Sequence, residues 1–246
     1  MTRFFISGDQ IREKTVFLEG SDHHHLLKVL RKKIGDEIVV LNGKGQEYTA
    51  KITTINDTLV EAEILAEVAK TTEPRVKLNL IQSLPKGDKF EFIIQKNTEL
   101  GISRFQPVIS ERSTIRLNEE ARIKKWERWR KIIKEAAEQS GRKIVPELEI
   151  VQDWQLVIHN FRSGMVLIPW EGEQNQSLKD VLDKEKVFPS EVTLLIGPEG
   201  GFSLDEVNEA CAEGAIPVTL GPRILRTETA ALVAASAIFY HYGDLG

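Results

Sequence analysis

LLIGPEGGFSLDE, Leu194–Glu206, runs from an apolar, strand-like segment through a glycine-rich turn into a helix begun by Ser203. A phosphate-cradling loop would read Gly-x-x-x-x-Gly-Lys-Ser/Thr, its lysine neutralising phosphate charge and its hydroxyl meeting magnesium; this turn has no lysine. A dinucleotide turn would read Gly-x-Gly-x-x-Gly with an acidic residue about 20 positions on, and Gly-Pro-Glu-Gly-Gly has the wrong spacing. Glu199 also stands where an anion would otherwise sit, so a ligand with hydroxyls or positive charge suits the turn better than a pyrophosphate.

Working outward, everything from Val76 on alternates strand and helix. KLNLIQSL, RFQPVIS, a segment near LEIV, MVLIPW, VTLLIG and IPVTLG read as strands. DKFEFIIQKNTELG, a long helix from about Glu119 to Ser140, WQLVIHNF, SLKDVLD, SLDEVNEACAEG and a terminal helix from Thr227 lie between or after them. That order predicts an α/β domain with a mainly parallel sheet, in which ligands collect at the carboxyl ends of strands. Three strands end unusually, in Ile168-Pro-Trp-Glu-Gly172, Ile196-Gly-Pro-Glu-Gly-Gly201 and Leu220-Gly-Pro-Arg-Ile-Leu-Arg226, and all three ends are expected at one edge. The first 70 residues instead read as short strands (RFFI, TVFLEG, EIVVLNG, EYTAKITTI, TLVEAEILAEV) with one short helix capped by Ser21 and a hairpin at Asn42-Gly-Lys-Gly45. This predicts a β-barrel-like module over residues 1–72, joined by the linker AKTTEP to an α/β domain over 73–246.

The 246 residues, 41% hydrophobic and 28% charged, suit a folded chain with a real core. The single cysteine, Cys211, has no intramolecular disulfide partner and reads as an inert thiol on the apolar side of its helix, which fits a reducing compartment. No secretory core or membrane-length apolar run is present, so a cytoplasmic protein with no membrane partner is expected. The net charge of −4 disguises an uneven distribution: Ala121–Lys134 carries seven Lys/Arg and one Glu, whereas Glu135 to the end carries eight against eighteen acids. That basic helix is either a solvated face or an electrostatic grip on nucleic acid. Trp126 and Trp129, three apart with Ile133 beyond, read as core or subunit contacts rather than base-stacking platforms.

Taken together, IGPEGG with Glu206 following, LGPRILRTETA, NTELGISRFQPVISERS, EAAEQSGRKIVPEL and HHHLLKVLR resemble, in order and over nearly the whole chain, the RsmE group of SPOUT-class RNA methyltransferases. The resemblance implies an N-terminal PUA-like domain, a C-terminal SPOUT-type domain with a trefoil knot, and a homodimer. It also implies S-adenosylmethionine as cofactor and N3 of a uridine in the 16S rRNA of the small ribosomal subunit, near the decoding region, as target. The cofactor would be wrapped by Pro169 and Glu171 of the first loop, Ile196, Gly197, Pro198, Glu199 and Gly200 of the second, and Leu220, Gly221, Ile224, Leu225, Arg226, Thr229 and Ala230 of the third. Backbone groups of Ile196, Leu220 and Leu225 would read the adenine edge, and Gly197, Gly200 and Gly221 would permit close approach. A knot is an exception to ordinary chain topology that no periodicity reveals.

Methyl transfer to a uracil nitrogen needs the N3 proton removed and the charge developing on the base carbonyls stabilised. Arg226 is the first candidate for that charge, with Arg112 and Arg142 next. Glu228 either orients an arginine, accepts the proton, or is a helix-start residue favoured by the macrodipole. His23, His24 and His25 are consecutive, point in different directions and suit no metal. One of them is expected to pack inward. The others, with Arg3, Lys28, Arg31 and Lys32, and with Lys124, Lys125 and Arg128 of the basic helix, are the candidate RNA contacts, His24 among them.

Overall fold

Residues 3–69, 72–160, 164–185 and 187–245 are described by a computed structural model. They divide into two units, Met1–Glu73 with Ala137–Val145, and Pro74–Ala136 with Pro146–Gly246. Lys70 and Thr71 of the expected linker, and Phe161 at the end of the expected WQLVIHNF helix, lie outside the described residues. No described helix is long and apolar enough to cross a membrane.

The first unit contains β1 (Arg3–Phe5), β2 (Ile11–Arg12), β3 (Thr15–Glu19), α1 (Gly20–His24), β4 (Glu37–Leu41), β5 (Glu47–Ile55) and β6 (Leu59–Glu67). One sheet takes them in the order β1-β4-β5-β6-β3-β2, antiparallel except for β1 against β4. Alternation does the sorting: Val16 and Leu18, Ile38 and Val40, Ala50 and Ile52, and Val60 and Ala62 point into one core with Phe4 and Leu26. Two register shifts interrupt β5 against β6, near Thr49/Ala50 and Ile52/Thr54. The Asn42–Gly45 turn forms as the sequence predicts, with Gly43 and Gly45 at positive φ and Asn42 Oδ1 accepting from the Lys44 and Gln46 N–H groups.

Ser21 is not a cap. The helix starts two residues earlier, with Glu19 at the N-cap, and Ser21 lies inside its first turn; the backbone then widens over His25–Val29, where the Leu30 N–H reaches the His25 carbonyl. None of the three histidines is buried: His23 Nε2 meets the Asn56 carbonyl at 2.9 Å, His24 is exposed, and His25 sets its ring against Phe4.

The second unit contains β7 (Lys77–Ser83), α2 (Lys89–Leu100), β8 (Arg104–Ile109), α3 (Glu119–Ser140, its last residues counted with the first unit), β9 (Glu147–Leu148), β10 (Gln152–Asp153), α4 (Trp154–Ile158), β11 (Met165–Pro169), α5 (Leu178–Lys184), β12 (Glu191–Ile196), α6 (Leu204–Ala212), β13 (Ile216–Val218) and α7 (Thr227–His241). Its seven-stranded sheet runs β10-β8-β7-β12-β11-β13, with β9 also on β8, and every pairing is parallel. Central β7 and β12 are buried on both faces; β12 accordingly reads as a nearly continuous apolar run, whereas β7 buries the polar Asn79, Gln82 and Ser83 among its apolar residues. Trp129 is buried against Phe90 in the core of this unit, whereas Trp126 is half-buried and donates to the Leu148 carbonyl. Cys211 packs against the core around Val207 and Phe202, and burial pushes its thiol up. Because β11, β12 and β13 are neighbours and parallel, their three following loops emerge at one edge, as expected.

Candidate active site

The loops after β11 and β13 enclose a cleft of about 580 Å³, within the range of small-molecule sites. Pro169, Glu171, Leu220, Gly221, Ile224, Leu225 and Ala230 line it as expected, joined by Trp170, Glu173, Gln174, Thr219, Pro222 and Arg223, which the sequence reading did not single out. Trp170 and Glu173 fall on the same loop as the expected residues, so the loop as a whole was the usable signal. Ile224 is almost wholly exposed at the rim. Among the described residues the backbone N–H groups of Leu220, Ile224 and Leu225 have no hydrogen-bonding partner in the protein, so these donors are available to a bound molecule or to solvent. The Glu173 carboxylate is held below its ordinary range by the backbone N–H groups of Asn175 and Gln176. With Glu171 it outweighs the Arg223 guanidinium that also lines the cleft and leaves the lining net negative, suited to a cationic ligand.

Ile196, Gly197, Pro198, Glu199, Gly200, Arg226 and Thr229 do not line this cleft. The Gly-rich loop borders it through Gly201, whose φ of +66° excludes most side chains and where an added Cβ would stand 2.6 Å from the Glu171 carboxylate. A Cβ on Gly197 would meet backbone, 3.0 Å from Phe202 N and 3.1 Å from the Gly201 carbonyl carbon, and Gly221 has φ +110°. Gly200 is different. Its Cβ would only touch the Arg112 side chain at 3.4 Å, in an ordinary backbone conformation, so the need for glycine rests on Gly197, Gly201 and Gly221.

Buried Gln82, at the end of β7, donates to Thr227 Oγ1 at 2.9 Å, and Thr227 Oγ1 donates to the Gly197 carbonyl at 2.6 Å. One strand end, the Gly-rich loop and the first residue of α7 are thereby joined. Glu199 turns to the α2 side, where Lys89 Nζ lies 2.7 Å away and the Lys86 N–H donates to it. Partial burial alone would raise this carboxyl, but the Lys89 hydrogen bond, the backbone N–H groups and the Lys89 charge together hold it below its ordinary value. The negative charge read from the sequence at Glu199 is therefore neutralised by Lys89, whereas Glu171 faces the cleft. Lys89 Nζ also lies 4.0 Å from Glu228 Oε2, which is screened from solvent and accepts no hydrogen bond among the described residues.

Arg226 sits at the N-cap of α7, exposed, with no side-chain partner among the described residues. Arg112 donates from Nη1 to the Gly200 carbonyl at 2.9 Å, so it too stands at the Gly-rich loop. Arg142 is not brought to these loops within the second unit. It belongs to the first, buried, with its guanidinium 2.6 Å from Glu73 Oε2, an ion pair that offsets the cost of burying it. Arg3 is likewise paired within the first unit, donating to the Gly141 carbonyl and pairing with buried Glu47. Lys28 and Arg31 are exposed, while Lys32 donates to the Glu37 carbonyl. On α3, Lys124 is exposed, Lys125 lies over the Trp129 ring and Arg128 pairs with Glu91 at 2.7 Å.

A wider groove of about 1000 Å³ between Arg116 and Glu209 is lined by five carboxylates against two guanidiniums, a poor match for phosphate.

Residues 72–239 match the RNA methyltransferase domain and residues 18–65 the RNA methyltransferase PUA domain. The chain is 36% identical over 247 aligned positions to the ribosomal RNA small subunit methyltransferase E of Bacillus subtilis strain 168, covering 98% of this chain and 96% of the relative. It is 34% identical to the protein of the same name from Synechocystis, covering 96% and 76%. The crystal structure of a ribosomal RNA small subunit methyltransferase E from Neisseria gonorrhoeae bound to S-adenosyl methionine superposes with a TM-score of 0.86 at 34% identity, covering 98% of this chain and 97% of that one. With a family profile matched over more than half its length and full-length relatives above 30% identity, the chain belongs to the ribosomal RNA small subunit methyltransferase E family of RNA methyltransferases.

Proposed function

We propose that the protein transfers a methyl group from S-adenosylmethionine to N3 of a uridine in 16S rRNA of the small ribosomal subunit, acting in the cytoplasm as a homodimer. The observation that carries this reading is the cleft between the loops after β11 and β13. It combines backbone donors at Leu220 and Leu225 that suit a purine edge, an apolar rim at Ile224, and the Glu171 and Glu173 carboxylates that suit a sulfonium and an ammonium. When bound there, the cofactor supplies an electrophilic methyl group. The protein's part is positioning and electrostatics: Arg226, without a partner of its own, faces the charge that grows on the uracil carbonyls, and Glu228 beside Lys89 is placed to orient a cation or take a proton. We read the return of the chain from edge strand β13 to α7, which packs on α2 and β12, as the threading of a trefoil knot, with the Gln82–Thr227–Gly197 bonds at its crossing. Calorimetric titration tests the cofactor assignment: S-adenosylmethionine and S-adenosylhomocysteine should bind, and ATP and NAD should not. Tight binding of either nucleotide instead would point to a metabolic enzyme, and binding of none of the four to a non-catalytic RNA module.

RNA affinity should fall steeply with salt despite the acidic net charge. Replacing Lys124, Lys125 and Arg128 by alanine should weaken RNA binding and leave S-adenosylmethionine affinity unchanged. The salt slope should shrink by about 0.7 to 0.9 per phosphate contact removed. Because Lys125 and Arg128 already have partners in the fold, Lys124 should account for most of the loss. Filter binding from low to high salt measures this, and a flat response would remove electrostatics as the main contact.

The dimer draws on α7. Its buried face is Ala231, Ala234, Ala235, Ile238 and Phe239, but Thr229, Val233 and Tyr240 leave a second, partly apolar stripe exposed in the single chain. Light scattering at micromolar concentration should give twice the chain mass; the mass of one chain would rule this out.

A further inference from the structure

The geometry points to Glu206 as a positioning residue for the transfer step, acting through Arg112; this rests on the methyltransferase reading above. Glu206 lies in the first turn of α6, 4% exposed. As an N-cap partner it needs one acceptor only: its Oε2 takes the Ser203 N–H at 3.0 Å while Ser203 Oγ takes the Glu206 N–H at 3.3 Å. A glutamine meets that requirement as well as a glutamate does. The second oxygen does something else. Glu206 Oε1 accepts the Glu111 N–H at 2.7 Å, reaching from α6 to the turn that follows β8.

That turn is closed on itself. The Ser113 N–H donates to the Ser110 carbonyl, Ser113 Oγ accepts the Ser110 N–H, and the two buried hydroxyls are 3.0 Å apart. Glu111 and Arg112 occupy its tip, and the turn is tethered there twice, by Glu206 at the Glu111 N–H and by the Arg112 guanidinium at the Gly200 carbonyl. A rigid turn tied at two points sets where the remaining Arg112 N–H groups stand relative to the Gly-rich loop. A carboxylate at position 206 is required because a carboxamide could satisfy one of the two N–H groups but would set its own NH₂ against the other.

The test compares Glu206→Gln, Arg112→Ala, their combination, and Ser203→Ala as a control that weakens the α6 cap but leaves the Glu206–Glu111 bond in place. Glu206→Gln should lower kcat for methylation of small subunits by about tenfold or more, with S-adenosylmethionine affinity within about threefold of wild type. Ser203→Ala should lower thermal stability and keep kcat. The double variant should be no slower than Arg112→Ala alone, because both changes act on one guanidinium. Amide exchange at Glu111 reads the clamp without any turnover: slow in wild type and Ser203→Ala, fast in Glu206→Gln. Wild-type kcat in Glu206→Gln, cofactor affinity lost in step with rate, multiplicative losses in the double variant, or an unchanged Glu111 amide would each overturn the assignment. Absence of transfer by the wild-type protein would instead sink the methyltransferase reading, with Glu111 exchange still deciding whether Glu206 holds the turn.

Discussion

Gly197→Val should eliminate S-adenosylmethionine binding in a protein that still folds, whereas Gly200→Ala should leave affinity within a few-fold. Both positions sit in one five-residue motif, yet they differ in what surrounds them. At Gly197 a Cβ would press on Phe202 N and the backbone of Gly201 at 3.0 to 3.2 Å, and backbone held in a tight turn by the Gly201 N–H to Pro198 carbonyl bond cannot swing aside as a side chain can. Valine adds two more carbons, so the turn must open, and opening it pulls the Gly197 carbonyl from Thr227 Oγ1 and disturbs the entry to α7. Overpacking of this kind costs about 1 to 3 kcal/mol, tolerable for a folded chain of this size but concentrated in the loops proposed to hold the cofactor. At Gly200 the added carbon meets only the flexible Arg112 side chain at ordinary contact distance. Calorimetry on both variants, with thermal unfolding as a control for folding, checks the contrast; near-normal affinity in Gly197→Val would remove the Gly-rich loop from the cofactor site.

Arg226→Ala should behave in the opposite way, slowing methyl transfer by about ten- to a thousandfold, the loss expected for one oriented charge donor, with S-adenosylmethionine affinity changed much less. Arg226 is held only through its backbone at the start of α7, next to the Thr227 anchor, and its guanidinium is exposed. It contributes little to the fold by this geometry, so its removal should be seen in rate rather than stability. Single-turnover methylation of small subunits lacking the modification, run beside calorimetry, separates the two effects. If Arg226→Ala lost cofactor binding as completely as Gly197→Val, Arg226 would be a cofactor clamp and not a transfer-step residue.

The α/β architecture was legible because its signals are local. Apolar runs of strand length alternate with helices, and Ser203, read as a helix start, forms a capping box with Glu206. The convergence of three loops at one edge followed once the sheet was taken as parallel. What the sequence hid were side-chain commitments made by tertiary partners. Arg142 and Arg3 read as free cations, but Glu73 and Glu47, each distant in sequence, take them up inside the first unit. Glu199 read as charge offered to a ligand until Lys89 was seen beside it. Gly200 and Gly197 look alike as letters, and only backbone proximity tells them apart. Ser21 misled for a related reason: a serine before an apolar run is a cap signal, but the chain had already turned helical at Gly20.

The most direct measurement is transfer of an isotopically labelled methyl group from S-adenosylmethionine to small ribosomal subunits that lack the modification, followed by nucleoside analysis of the 16S rRNA. The account predicts label in N3-methyluridine at a single site, strongly reduced by Arg226→Ala and abolished by Gly197→Val. Label in another nucleoside, label only in protein, or no label from a folded protein that binds S-adenosylmethionine would contradict it.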